Sequence, residues 1–331
     1  MKAIVYDHYG PPSALRLRDI DRPAVGDHEV LVRVHAAGVD PGVLIFLAGR
    51  PYLVRLAAGL RRPRVPVLGR DVAGVVAEVG ARVTRFRPGD EVYGTSLRGS
   101  YAEFTATHER RLARKPANLT FAQAAAVPVS GMTALRAVRD TGRVRPGHRV
   151  LVIGAAGGVG SQAVQVAKAY GATVTGVCSP AAIDFVRSLG ADDVLDYTRE
   201  EVDRDGPVYD VVIDTGGNRP LSLLRRALTS RGTLALVGGD WTRGGALLGG
   251  YGRQIFGAPL LSTVVGHRLR SVSAQERTED LDTLGDLVGS GALTPPIDRS
   301  YPLAETADAL RHFTDGHPAG KIVITVDSHD R

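Results

Sequence analysis

The stretch Arg149 to Ser179, RVLVIGAAGGVGSQAVQVAKAYGATVTGVCS, decides the fold. It opens on a continuous apolar run, Val150 to Ile153, of the kind a strand buried on both faces requires. Glycines follow at 154, 157, 158 and 160, then a helical pattern of Ala163, Val164, Val166, Ala167 and Tyr170, closed by Gly171. A second buried run, Val174 to Cys178, comes next. Strand, glycine turn, helix and strand within about 30 residues make one βαβ unit of a dinucleotide-binding fold.

The chemistry explains the glycines. Gly154 and Gly157 allow a tight turn and a close backbone approach to a pyrophosphate, and Gly160 lets the helix pack close to the sheet. The helix N-terminus offers free N–H groups and a positive dipole end to the phosphates. The expected cofactor contacts here are Gly154, Ala156, Gly157, Gly158, Val159 and Gly160. A sheet of this design that has lost its ligand is the alternative.

An NAD-preferring site puts Asp or Glu at the end of the second strand, about 20 residues on, to bond the ribose 2′-OH. Here that place reads Cys178-Ser179-Pro180, with no acid before Asp184. A neutral Ser179 leaves room for a 2′-phosphate, so NADPH is expected, with NADH as the alternative.

The 331 residues fit two domains, and 44% hydrophobic with 23% charged residues describes a globular chain with a sizeable core. The opening MKAIVYDHYG holds no apolar segment of secretory length, and Leu247 to Gly266 is broken by Arg253, Gln254 and glycines. The single cysteine, Cys178, excludes an internal disulfide and any multi-cysteine zinc site. Cytoplasm is the expected compartment. The net charge of +6 comes from arginines scattered along the chain, the densest group being Arg61, Arg62 and Arg64, which reads as a solvated loop. Neither a nucleic-acid nor a membrane partner is expected.

The first 115 or so residues read as β-rich: Met1–Tyr6, Glu29–His35, Val72–Val79, Glu91–Gly94 and Ser100–Thr105 are expected strands. Short strands at that spacing point to a small barrel or sandwich. Thr120 is placed to cap a helix to Ala126, with Gln123 completing a capping box. Pro128 is expected to interrupt it, and Ser130-Gly131-Met132-Thr133 to begin a second helix running to about Asp140. Further β/α units follow: Tyr209–Asp214, Leu221–Thr229, Thr233–Gly238, Leu269–Val272 and Asp280–Ser290. After Thr294-Pro295-Pro296 the chain ends in an alternating strand, Lys321–Val326.

That order of features resembles the medium-chain dehydrogenase/reductase superfamily, and within it the zinc-independent quinone oxidoreductase branch. The resemblance covers essentially the whole chain. Its specific pieces are VLGRDVAGVVAEVG at 67–80, RPGDEVYG at 87–94, AAAVPVSGMTAL at 124–135, GAAGGVGSQAVQVAK at 154–168 and GKIVITV at 320–326. It implies a GroES-like β-barrel catalytic domain at 1–117, a Rossmann doubly wound parallel-sheet domain at 118–293, and a C-terminal return to the first at 294–331. It also implies an active site in the cleft between the domains, and a homodimer paired through the Rossmann sheets.

Departures from the family pattern carry as much as the matches. Zinc-dependent relatives supply a catalytic Cys after the AAGV segment and a Gly-His-Glu further on, where this chain has Asp40 and Gly69-Arg70-Asp71. One carboxylate and an arginine do not make the three protein ligands a catalytic zinc needs, so no zinc is expected. The four-cysteine zinc lobe is missing as well, and the nine histidines show no HxxH or HExxH spacing.

The resemblance places Thr133 near the nicotinamide ribose, Asp40 at the same end of the cofactor, and Tyr52 near a tyrosine lining the substrate site. As a phenol, Tyr52 is a candidate hydrogen-bond or proton donor; a partly buried loop aromatic is its plain alternative. Tyr197 matches a tyrosine beside the adenosine 2′-phosphate, while the lysine that often assists it falls at Ala182. Gly216, Gly217, Asn218, Val237 and Gly238 end Rossmann strands, where such sheets bind ligands. Segments 50–66 and 241–266, the latter with Trp241, are candidate lids or ordinary loops.

The expected function is hydride transfer from NADPH to a small-molecule quinone or the activated C=C of an α,β-unsaturated carbonyl, which needs hydrogen-bond donors and a proton source but no metal. The alternatives are an enoyl reductase of one polyketide-like or thioester intermediate, and a cofactor-binding paralogue with little turnover.

Overall fold

The structure, a computed structural model, describes residues 1–238, 257–273, 275, 277–316 and 318–326. These pack into two compact units. The first comprises Met1–Met132, Glu276–Ser290 and Pro295–Arg331, the second Thr133–Gln275 and Gly291–Thr294. Residues 118–132 and the helix Thr278–Gly289, expected with the nucleotide-binding part, therefore belong to the first unit. The helix packs there through its own sheet: the Tyr93 hydroxyl donates to the Leu281 carbonyl at 2.6 Å.

The second unit is built on a six-stranded, all-parallel sheet. Its strands lie in the order Asp193–Asp196, Thr173–Cys178, Arg149–Ile153, Tyr209–Asp214, Leu228–Leu236, Arg268–Ser271. In sequence order that is 3-2-1-4-5-6, the doubly wound arrangement expected of the βαβ reading. The apolar runs are continuous because both faces are covered: Val150 to Ile153 and Val174 to Cys178 are all buried.

The first unit carries a seven-stranded, mainly antiparallel sheet. Glu29–Gly38 is its centre, pairing with Asp71–Val79 on one edge. On the other edge it pairs with Phe104–His108 along its first half and with the C-terminal strand Lys321–Thr325 along its second. The C-terminal strand is thus part of the first unit's sheet. Val32, Val34, Val72, Val92 and Ile324 meet in its core.

Two further expectations are corrected. The strand placed at Ser100–Thr105 lies at Phe104–His108, because Ser100 and Tyr101 instead donate their N–H groups to the Leu68 carbonyl. Pro128 begins a helix, Pro128–Arg136, rather than delaying one to Ser130. At the first helical position its missing N–H has no intrahelical partner to lose. That helix continues as a π-helical segment, Ala137–Thr141. The capping box at Thr120 and Gln123 is present with both of its bonds.

Candidate functional site

In the second unit the glycine turn follows the strand Arg149–Ile153 directly. Gly154 sits at φ +76°, a left-handed conformation that favours glycine, and its N–H and that of Ala155 both donate to the Val177 carbonyl. A Cβ on Gly160 would lie 2.0 Å from the Gly154 carbonyl oxygen, so the helix Gly158–Ala169 packs backbone to backbone on the turn. Gly157 differs. A Cβ there would meet only the Gly154 oxygen, at 3.5 Å, so its surroundings are open. It is also the N-cap and supplies no side-chain cap to the first N–H groups of the helix. Unfilled space beside uncapped helix donors fits a pyrophosphate.

The neighbouring strand ends converge on that turn. Thr215 Oγ1 donates to the Ile153 carbonyl at 2.7 Å, tying the fourth strand to the first. Asp214 is fully buried, and its Oδ1 accepts the N–H groups of Gly216 (3.1 Å) and Gly217 (3.0 Å). Its Oδ2 has no hydrogen-bond partner, and burial pushes the carboxyl upward against the pull of those two N–H bonds. The N–H groups of Val237 and Gly238 donate to the Asp214 carbonyl. Gly154–Gly160, Gly216–Asn218 and Val237–Gly238 are thereby gathered at the carboxyl edge of one sheet. Asp214 and Thr215, which hold the loops there, escaped the sequence reading; the available signal was an acid closing the apolar run Val211–Ile213 before Thr-Gly-Gly.

Ser179 is half-buried at the end of the second strand and makes no capping bond with its side chain. Asp196 ends the next strand in register with Cys178. It is committed elsewhere, because Oδ1 accepts both the N–H (2.9 Å) and the hydroxyl (2.8 Å) of Thr198, whose backbone bond chiefly holds the carboxyl below its usual range. Tyr197 is exposed, and Arg199 reaches to 3.7 Å from Asp196 while remaining largely in solvent. Ala182 is buried, so that place offers no cation. Cys178 is buried, and its thiol is pushed up to about 11, first by burial and then by the Asp196 charge. Thr133 is half-buried within the helix Pro128–Arg136 rather than at its start.

In the first unit Asp40 is buried and caps the helix Pro41–Ala48, its Oδ1 accepting the Gly42 N–H at 2.7 Å while Oδ2 has no hydrogen-bond partner. Asp71 is fully buried. It accepts from Lys321 Nζ at 2.9 Å and from the Val129 N–H at 2.7 Å, and Lys321 also donates to the Val39 carbonyl at 2.8 Å. Burial raises the Asp71 carboxyl, with Lys321 opposing and the Asp40 charge adding. Burial, then the charges of Asp40 and Asp71, push the Tyr101 phenol well up, and its hydroxyl donates to the Gly38 carbonyl. Asp40, Asp71, Tyr101 and Lys321 therefore form one buried polar cluster. Tyr52 is not drawn into it. That ring is 41% exposed and has the guanidinium groups of Arg55 and Arg50 over it at 4.9 and 5.7 Å. Trp241 and Gly244–Gly252 lie outside the described residues. Among the described residues no three His, Cys, Asp or Glu side chains are grouped to share a metal ion, and no helix is long and apolar enough to cross a membrane.

Residues 26–137 match the family described as alcohol dehydrogenase GroES-like domain, and 189–324 the family described as zinc-binding dehydrogenase. The chloroplastic NADPH-dependent alkenal/one oxidoreductase of Arabidopsis thaliana is 35% identical over 344 residues, covering 98% of this chain and 79% of its own. The chloroplast envelope quinone oxidoreductase homolog of the same plant is 33% identical, with 98% of both chains covered. Among solved structures, the quinone oxidoreductase of Coxiella burnetii superposes with a TM-score of 0.82 at 30% identity, over 99% of each chain. With relatives at that identity spanning nearly its whole length, the chain belongs to the medium-chain dehydrogenase/reductase superfamily, in its quinone oxidoreductase-like branch.

Proposed function

We propose that the protein is a zinc-independent, NADPH-dependent reductase of quinones or of the activated C=C of α,β-unsaturated carbonyls. Relatives named for those two activities support the substrate class. The observation that carries the zinc-free reading is the commitment of Asp71. By the resemblance it stands at the Glu of the Gly-His-Glu of zinc-dependent relatives, with Arg70 at the His, and its two oxygens are taken by Lys321 and Val129. Asp40, at the place of their catalytic Cys, spends one oxygen on its helix cap.

Bound NADPH supplies a hydride, leaving negative charge on a remote acceptor oxygen that hydrogen-bond donors stabilise. The N–H groups at the start of Gly158–Ala169 bind the pyrophosphate. Thr133 orients the nicotinamide ribose; within the first unit, Asp40 keeps Oδ2 without a hydrogen-bond partner. A screen of NADPH oxidation across quinones and enones, with metal analysis of the purified protein, tests the whole reading. Turnover without stoichiometric zinc and undisturbed by chelators is expected; about one zinc per chain, with activity lost on chelation, would overturn it.

Ser179 sets the cofactor preference, with Tyr197 and the solvent-facing Arg199 nearby on the next strand end. The preference for NADPH over NADH is expected to be modest, about 3–30-fold. Ser179→Asp adds a carboxylate that bonds a 2′-OH and repels a 2′-phosphate, so it shifts the ratio of kcat/KM values toward NADH. An unchanged or stronger NADPH preference in that variant would place the ribose elsewhere.

Tyr52 is proposed as a donor to the acceptor oxygen. Because the ring is exposed, water competes with its hydroxyl, and Tyr52→Phe is expected to lower kcat and kcat/KM together by about tenfold, short of the 10²–10³ typical of an enclosed donor. Full turnover by Tyr52→Phe would leave water as the proton source.

A cytoplasmic homodimer is the proposed state. Arg268–Ser271 ends the parallel sheet among the described residues, and Leu260 and Val264, just before it, are three-quarters exposed.

A further inference from the structure

We infer that residues 50–66 form a docking surface for an anionic lipid bilayer, contrary to the expectation that the chain has no membrane partner. Ten large apolar side chains are exposed among the described residues, and five of them, Tyr52, Leu53, Leu56, Leu60 and Val65, fall in this one stretch. Between Asp40 and Asp71 the sequence carries six arginines and no acid. A solvated loop accounts for the arginines but not for leucines held in water.

The presentation is braced. The short helix Val54–Ala58 holds Leu56 at 63% exposure, and Gly59, at φ +122°, turns the chain so that Leu60 stands out at 67% beside Arg61 and Arg62. The Arg64 N–H closes the loop onto the Ala58 carbonyl at 2.8 Å, and the Tyr9 hydroxyl donates to the Gly59 carbonyl. Arg55 Nε donates to the Gly49 carbonyl at 2.9 Å, with its guanidinium lying over the Tyr9 ring at 4.4 Å.

Leucines beside arginines are what an interface of acyl chains and phosphate headgroups accepts, the apolar groups entering below the phosphates and the guanidinium groups pairing with them. Competing occupants fit less well. A nucleic acid would meet the arginines and leave the leucines in water. A second copy of the chain, related by a two-fold axis, would set arginines against arginines. The proposal rests on Leu53, Leu56, Leu60, Val65 and the arginines, and would stand without Tyr52, the one residue it shares with the reaction assigned above.

Co-sedimentation of the full chain with phosphatidylcholine vesicles, with and without phosphatidylglycerol, tests it. Binding is expected only to the anionic vesicles and to weaken with salt. Replacing Arg61, Arg62 and Arg64 with Gln is expected to lower partitioning by about a hundredfold. The pair Leu56→Ser and Leu60→Ser is expected to lower it by about tenfold or more. Circular dichroism and NADPH titration establish that both variants fold. Any of four results overturns the proposal: no binding by the unaltered chain, full binding by either variant, a dimer that the leucine variant dissociates in place of vesicle binding, or tighter binding to an RNA oligonucleotide that needs the arginines but not the leucines.

Discussion

Gly160→Ala is expected to weaken NADPH binding by about a hundredfold or more, although it adds a single methyl group. The new Cβ would fall 2.0 Å from the Gly154 carbonyl oxygen and 2.9 Å from Ala155 Cα, both backbone atoms that no rotamer change moves aside. The start of the helix Gly158–Ala169 must therefore back away from the turn. Displacing a binding array by about 1 Å is enough for a loss of that size. Overpacking of this kind also destabilises by about 1–3 kcal/mol, so the melting temperature of the cofactor-free protein should fall too. Gly157→Ala is the control. Its Cβ meets only the Gly154 oxygen, at 3.5 Å, so the fold should be untouched while the methyl intrudes where the pyrophosphate approaches. Fluorescence titration with NADPH and thermal melts of both variants separate the effects. Undiminished affinity in Gly160→Ala would mean that the helix N–H groups do not hold the cofactor.

This part of the molecule was the most legible in the sequence, because its signals are local. A doubly buried strand writes a continuous apolar run, and a turn too tight for side chains writes glycines, so Val150–Ile153 and Gly154 carried the fold before any tertiary contact was known. The capping box at Thr120 is local in the same way. What failed was set at long range. The strand at Phe104–His108 takes its place from its pairing with Glu29–Arg33, and nothing within 100–108 indicates that Ser100 and Tyr101 turn to Leu68 instead. The start of the helix at Pro128 was hidden because the first free N–H, that of Val129, is satisfied by Asp71 from 58 positions away. The family resemblance gave Asp40 a place in the site; the structure adds that it caps Pro41–Ala48, a role that Asp followed by Pro and Gly does signal locally. Tyr52 carried no signal of its exposure or of the two arginines over its ring.

The Asp71–Lys321 pair is where the second large effect is expected. Both side chains are buried, at 0% and 2% exposure, and they join the strand Asp71–Val79 to the returning strand Lys321–Thr325 across the central strand between them. Removing one partner leaves the other charge in a site closed to water. Lys321→Met strands a carboxylate whose remaining support is the Val129 N–H. Asp71→Asn strands an ammonium supported by the Val39 carbonyl. Each is expected to destabilise the chain by about 3–5 kcal/mol, the cost of an uncompensated buried charge. The double variant removes both charges and leaves no charge to strand, so it should be more stable than either single variant, since a buried pair repays little beyond its own desolvation. Chemical denaturation of the four proteins without cofactor measures the cycle. If the two single effects simply add in the double variant, the groups are not coupled. The same cycle bears on the zinc-free reading proposed above. If Asp71 is held by Lys321 as tightly as the geometry indicates, zinc added to the unaltered protein should not raise its denaturation midpoint, and Lys321→Met, which frees the carboxylate, should still gain nothing from the metal because Arg70 takes the place of the histidine ligand.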